Sequence, residues 1–257
     1  MLVLPRAMIE VQGLVKVFGR FPAVDGVSID VAAGEIHGFL GPNGAGKTTT
    51  IRMIAGLLAP TAGSVVIDGH DMAKEPEAAK AALGFIPDRP FLYEKLTAGE
   101  FLRFHAGLYG IEGDGLPARI GELLDLFELR RFEGELVESF SHGMKQRLVM
   151  CSAFLHRPKA VLVDEPMVGL DPRGARLIKD VFRAMSRKGV GILMSTHTLE
   201  VAEEMCDRIS IIQGGKIIAR GTVAELQAMG GSADEKLTPV FLKLTGGSGL
   251  QEIDEAL

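Results

Sequence analysis

Gly41, Pro42, Asn43, Gly44, Ala45, Gly46, Lys47 and Thr48 form one continuous run, followed by Thr49. A glycine, four residues, then Gly-Lys-Thr is the spacing of a phosphate-binding loop. The chemistry explains the residue types. Glycines let successive backbone N–H groups turn inward toward a phosphate chain. Lys47 adds a point charge for β- and γ-phosphates, and the Thr48 hydroxyl is placed to ligate Mg²⁺. A helix starting at this point adds the positive end of its dipole.

A second group of reactive side chains lies far along the chain. The apolar run from Ala160 to Val163 ends in two carboxylates, Asp164 and Glu165. In open α/β sheets ligands bind beyond the carboxyl ends of strands. Asp164 is therefore expected to face the Mg²⁺ held by Thr48, directly or through water. Glu165 is the candidate to orient or deprotonate an attacking water. Without the glycine loop upstream, a strand simply leaving the core for solvent explains the same two acids. Just ahead of this strand, Ser141 suits a helix N-cap, and the free N–H groups of a helix start bind anions. Most capped helices bind nothing; it is the position before the acidic strand that gives Ser141 interest.

These groups need a scaffold. Residues 34–40 are short and mostly apolar, as a buried strand requires, and 49–57 carry apolar residues at helical spacing. Strand, glycine loop, helix is the context the loop demands. Upstream, Ile9–Phe18 and Val27–Val31 read as strands, as does Ser64–Ile67 before the turn Asp68-Gly69. Ala78–Leu83 reads as a helix and Gly84–Ile86 as a short strand. From Leu92 to Phe132 the pattern becomes helical, over Leu96–Leu108 and Pro117–Phe127, with Thr97 and Pro117 as start signals. Helices at Ser141–His156 and Pro172–Lys188 then alternate with strands at Ala160–Val163 and Gly191–Ser195, which predicts a parallel sheet with helices on both faces. Arg208–Gln213 and Lys216–Ala219 flank Gly214-Gly215 as a hairpin. The tail holds a short helix after Thr222, a break at Gly230-Gly231 and an apolar segment, Val240–Leu244.

Composition narrows the classes. The 257 residues are 47% hydrophobic, enough for a sizeable core. No apolar run approaches the ~20 residues of a membrane span. Residues 1–7 hold one Arg and no apolar stretch of signal-peptide length, so no signal peptide is expected. The net charge of −5 offers no broad surface for nucleic acid. Cys151 and Cys206 lack metal spacing, both fall in apparent helices, and they indicate a reducing compartment.

Taken together, the motifs resemble those of the ATP-binding cassette (ABC) ATPases, most strongly over 8–221. Walker A is Gly41–Thr48, and Walker B with its glutamate is Ala160–Glu165. The family signature, usually Leu-Ser-Gly-Gly-Gln, is similar to Phe140, Ser141, His142, Gly143 and Met144. The D-loop matches Gly169–Pro172 and the switch histidine matches His197. The resemblance implies an α/β P-loop fold: a mainly parallel sheet core, an antiparallel β subdomain and an inserted helical subdomain. It implies an ATP-binding domain over 1–222, with the helical subdomain at about 88–150, and a short C-terminal extension over 223–257.

The resemblance also implies a mechanism. ATP is hydrolysed with Mg²⁺ between two cassettes packed head to tail, read as a homodimer. Each ATP meets Walker A of one chain and Ser141, His142, Gly143 and Met144 of the other. Glu165 is the implied base, His197 a γ-phosphate contact and Asp171 a coupling residue. Phe18 lies where the family places an aromatic for adenine, and Val24 joins the nucleotide-binding set. Two departures stand out. His142 replaces the first signature glycine and Met144 the glutamine. Asp88 occupies the position that usually carries the Q-loop glutamine, a coupling and metal-sensing residue.

The tail, Thr222–Leu226 and Leu237–Gly246, looks like that of bacterial cassettes that drive multidrug, natural-product or ion export. Such chains work with a separately encoded membrane permease, so the protein is expected in the cytoplasm, peripheral at the inner face of the cell membrane. The expected docking surface is the cleft around Asp88 and Arg89–Leu108. Phe91, Leu92 and Tyr93 fit either a permease-binding patch or the core. The competing readings are a soluble ABC ATPase acting on DNA or ribosomes and an importer ATPase.

Overall fold

A computed structural model describes residues 6–89, 91–230 and 237–245. Strand β1 (Ala7–Phe18) pairs antiparallel with β2 (Phe21–Ala32), and β3 (Ile36–Leu40) leads through the glycine loop into helix α1 (Lys47–Ile54). Strands β4 (Ala62–Ile67) and β5 (His70–Asp71), helix α2 (Pro76–Ala81) and strand β6 (Leu83–Ile86) follow. Three helices then occur without a strand element between them: α3 (Ala98–Leu108), α4 (Gly115–Leu126) and α5 (His142–Phe154). The alternation resumes with β7 (Ala160–Asp164), α6 (Pro172–Arg187), β8 (Gly191–Thr196) and α7 (Leu199–Met205). The hairpin β9 (Arg208–Gln213) and β10 (Lys216–Thr222) precedes α8 (Val223–Gly230) and α9 (Leu237–Thr245).

Among the described residues the strands make two sheets. One is four-stranded, in the order β2-β1-β4-β5, with antiparallel pairs. The other is six-stranded, in the order β10-β9-β3-β8-β7-β6; all its neighbours pair parallel except β10 with β9. Leu40 aligns with Thr196, and Asp164 with Ser195, so the glycine loop and the Asp164-Glu165 pair leave the sheet at the same edge. That shared carboxyl edge is what the open α/β arrangement uses for ligands.

Alternation along the strands builds two cores. On β3, Ile36 and Leu40 pack into the core shared with α3 to α6, while Phe39 faces the core under the four-stranded sheet. On β7, Val161 and Val163 take the first side, Ala160 and Leu162 the second. The helix start read at Thr97 is a full capping box: its side chain accepts from Glu100 N, and Glu100 Oε2 accepts from Thr97 N at 2.8 Å. Helix α4 begins two residues before Pro117.

Three features differ from the sequence reading. Helix α7 and the two-residue β5 are too short to show a period. Cys206 is not in a helix but at the cap after α7, buried, with its thiol pushed up to about 12 by desolvation. Cys151 sits inside α5, fully buried. The break read at Gly230-Gly231 and the first five residues lie largely outside the described residues.

One polar cluster inside the large sheet has a stability consequence. His37 on β3 is fully buried. Its Nδ1 lies 2.9 Å from Glu35 Oε1 and its Nε2 lies 2.9 Å from Ser210 Oγ. An ionised carboxylate only accepts, so Nδ1 carries the proton and Ser210 donates to Nε2. Desolvation lowers the His37 pKa below its ordinary 6.5, with Glu35 pulling the other way. The unfolded chain therefore takes up a proton below that value which the folded chain resists, and stability falls as pH drops through 6.5. Glu35 adds a loss in the same direction at lower pH. Burial raises its pKa, but the His37 and Ala32 hydrogen bonds outweigh that and hold it below 4.5. Thermal melts between pH 7.5 and 5 are expected to show a falling Tm, with a shallower slope in His37→Gln. An identical slope in the variant would remove His37 from the account.

Candidate functional site

The glycine loop is held by close approach of backbone to backbone. Gly46 has φ 107°, and a Cβ there would meet Ala23 O at 2.6 Å. A Cβ on Gly41 would meet Ile212 O at 2.4 Å. The loop is thus pressed between β2 and β9, and only glycine fits at both positions. Thr50 Oγ1 donates to Gly46 O at 2.9 Å in the first turn of α1. Lys47 Nζ donates to Gly41 O at 2.6 Å and Pro42 O at 3.2 Å, which holds its ammonium over the loop. Burial lowers its pKa, and the charges of Glu165 and Asp164 offset part of that shift.

A cavity of about 580 Å³ opens over this loop. Pro42, Asn43, Gly44, Gly46, Lys47, Thr48 and Thr49 line one wall. Asp88, Arg89, Asp164, Glu165, Val168 and His197 line the other, with Phe21 and Ala23 at the rim. Gly41 and Ala45 belong to the loop but are buried behind it. Asp164 ends β7, nearly fully buried, and accepts from the Ser195 hydroxyl. The chain turns at once: Glu165 has φ 52°, a left-handed conformation costing a side-chain-bearing residue on the order of 1–3 kcal/mol. Its N–H donates to Ser195 O at 3.2 Å, which fixes the turn. Glu165 Oε1 then lies 2.8 Å from His197 Nδ1. A carboxylate, held by an imidazole and facing the cavity that Lys47 enters, has the geometry that a general base beside a phosphate cradle requires.

The oxygen groups suit a metal that arrives with phosphates. Mg²⁺ is usually bound by one or two carboxylates plus substrate oxygens and water. Across the cavity Thr48 offers a hydroxyl and Asp164 a carboxylate, with Asp88 as a second carboxylate on the same wall as Asp164. Among the described residues no cluster of three or more His, Cys, Asp or Glu forms a cage of its own.

The ABC transporter family model matches residues 24–168, more than half of the chain. The chain is 36% identical over 239 residues to the ABC-type transporter ATP-binding protein EcsA of Bacillus subtilis, covering 93% of this chain and 97% of EcsA. It is 39% identical over 228 residues to the daunorubicin/doxorubicin resistance ATP-binding protein DrrA of Streptomyces peucetius, covering 89% and 69% respectively. A solved structure of the ATP-binding subunit of an ABC transporter superposes with a TM-score of 0.87 at 35% identity, over 92% of this chain and 99% of that one. The chain belongs to the ABC transporter family. It is an ABC ATP-binding subunit that hydrolyses ATP.

Other residues singled out in this ABC cassette lie elsewhere. Ser141, His142, Gly143 and Met144 do not line the Lys47 cavity. Ser141 caps α5, accepting from Met144 N at 3.4 Å. His142 packs so close to Gly169 that a Cβ there would lie 2.5 Å from its ring, and Met144 packs on the core. Asp171 caps α6, its side chain accepting from Gly174 N at 2.7 Å. Phe18 is half exposed beneath Lys16 Nζ, outside the cavity lining, and Val24 is fully buried in the core. Phe21, the cross-strand partner of Phe18, lines the cavity instead, together with Ala23. Phe21 and Ala23 are two apart on β2 and so share a face, which Val24 does not; the period of the strand was the available signal. Arg89 and Val168 were also not singled out.

Beside the nucleotide cavity lies an apolar groove of about 900 Å³ lined by Phe91, Leu92, Tyr93, Leu96 and Phe104, with Arg89, His142 and Lys145 at its edge. Phe91 is 81% exposed, and its ring meets Tyr93 edge-on at 5.6 Å. Tyr93 is itself exposed and meets Phe104 at 5.1 Å. Phe91 and Tyr93 are therefore surface residues, and only Leu92 packs partly onto the core. Arg89 lines both the groove and the nucleotide cavity.

Proposed function

We propose that this chain is the motor of an exporter: it binds ATP with Mg²⁺, closes head to tail on a second copy of itself, and drives a separately encoded membrane permease from the cytoplasmic face. The observation that supports this reading most is the single cavity in which Lys47, Thr48, Asp164, Glu165 and His197 meet. Lys47 and the loop N–H groups hold the β- and γ-phosphates. Glu165 takes the proton of the attacking water, and His197 at 2.8 Å orients that carboxylate and reaches the γ-phosphate. Thr48 and Asp164, with Asp88 through water, would hold Mg²⁺, which when bound neutralises charge on the phosphates. Phe21, on the cavity rim, takes the place beside the adenine that Phe18 was expected to fill.

The signature residues are turned away from their own cavity, as a contact made to the other copy's ATP requires. Hydrolysis then removes the phosphate that bridges the two chains. Export is favoured by the resistance named for DrrA, which is 39% identical over 89% of this chain. The groove of Phe91, Tyr93 and Phe104 supplies an exposed apolar surface for the permease, joined through Arg89 to the nucleotide-cavity wall that carries Asp88; Asp88 and Asp171 are the coupling residues. Among the described residues no helix is long and apolar enough to cross a membrane.

Capture of tagged Glu165→Gln from native membranes in ATP, with partners identified by mass spectrometry, tests the transporter assignment. A polytopic membrane protein at comparable abundance is the expected partner. Recovery of ribosomal or nucleic-acid-bound partners alone overturns the permease assignment and leaves the ATPase.

A further inference from the structure

A second cleft, of about 730 Å³, lies at the amino ends of β7 and β8, remote from the nucleotide. The two cavities sit at opposite ends of β7, which spans about 17 Å at ~3.3 Å per residue. The cleft divides the helical insert from the sheet core: α4 forms one wall, and the ends of α5 and α6 with the start of β1 form the other. Its volume is that of a pocket for a small organic molecule, roughly 300–1,000 Å³.

The lining combines two chemistries. Leu123, Leu126, Phe154 and Met185 give it an apolar floor, and Leu126 is 46% exposed there. Five cations surround that floor against two carboxylates, Asp68 and Glu122. Asp68 is engaged by Arg6 at 2.9 Å and Glu122 by Arg119 at 3.3 Å. Arg157, Lys159 and Lys188 form no ion pair among the described residues. Arg119 donates to Phe154 O at 2.8 Å, yet its Nε is buried without a partner among the described residues. Arg157 is held at φ 54°, a strained backbone for a side-chain-bearing residue. The carboxyl ends of α5 and α6 favour nearby cations. Such cations can lie anywhere around a helix end, whereas these line one cleft over an apolar floor.

We infer that this cleft binds an amphipathic organic anion, with an apolar body on Leu123, Leu126 and Phe154 and one acidic group among Arg119, Arg157, Lys159 and Lys188. Charge complementarity selects the anion and the floor selects the body. An inorganic anion makes no use of the floor, and a cationic amphiphile meets a lining in which cations outnumber carboxylates. The site is independent of the nucleotide reaction, so its test does not depend on ATP hydrolysis.

The test is isothermal titration of the full chain with sodium decanoate below its micellar concentration, beside decyltrimethylammonium, which carries the same tail and the opposite charge. The expected result is saturable binding of decanoate at one per chain and none of the ammonium salt. Lys159→Glu/Lys188→Glu, two exposed positions, should weaken decanoate at least about tenfold while its melting temperature and ATP affinity stay at wild-type values. Leu126→Ser should weaken it through the floor alone. Absence of saturable decanoate binding, equal affinity for the ammonium salt, or wild-type affinity in the charge-reversed variant overturns the assignment.

Discussion

Glu165→Gln will bind ATP at least as well as the wild type and hydrolyse it about 10²–10⁴-fold more slowly, the usual cost of a lost general base. The substitution is nearly isosteric, and the amide oxygen can still accept from His197 Nδ1, 2.8 Å away in the native pair. Geometry is therefore kept while the proton acceptor is lost. Affinity is expected to hold or rise because one negative charge leaves the cavity that receives the phosphates, a cavity also holding Asp164 and Asp88. Held in the ATP state, the variant should accumulate as a dimer, since the bridging phosphate is not removed. Phosphate release and light scattering in ATP measure both effects. Wild-type turnover in the variant would exclude Glu165 as the base, and a monomer despite tight ATP binding would exclude the head-to-tail switch.

The part of this cavity that holds Lys47, Asp164 and Glu165 was legible in the sequence because it is local. Gly41 to Thr48 and Ala160 to Glu165 are continuous runs, each sitting at the end of a strand whose apolar pattern places it. Once both strands are placed in one parallel sheet, here with β8 between them, their carboxyl ends bring Lys47, Asp164 and Glu165 to the same edge. The rim was less legible because it depends on register. Phe18 and Phe21 are direct partners at the end of the β1–β2 hairpin, and only the packing of that hairpin against the loop puts Phe21 rather than Phe18 at the cavity rim. Val24 illustrates the same limit, since its burial follows from a strand face that Phe21 and Ala23 do not share. The cleft behind α4 was not visible at all. Its cations come from the residue before β1, α4, the loop before β7 and the end of α6, and only packing brings Arg119, Arg157, Lys159 and Lys188 together.

The second large effect is expected at the loop. Lys47→Ala should weaken ATP by about 30-fold to several thousand-fold, the ~2–5 kcal/mol typical of deleting one partner of a desolvated charge pair. Lys47 is 7% exposed, so its ammonium is poorly screened and its attraction to phosphate correspondingly strong. The loop itself should persist. Its path is set by Gly46 against Ala23 O and Gly41 against Ile212 O, and by the Thr50 hydroxyl on Gly46 O, contacts that do not involve the lysine. What the variant loses within the protein is the pair of bonds to Gly41 O and Pro42 O. The ammonium is buried, and burial already lowers its pKa, so removing it also relieves a desolvation cost and the melting temperature should change little. Titration calorimetry with ATP beside a thermal melt separates the two effects. A large fall in Tm with unchanged affinity would mean that Lys47 holds the loop in place and does not bind the phosphates.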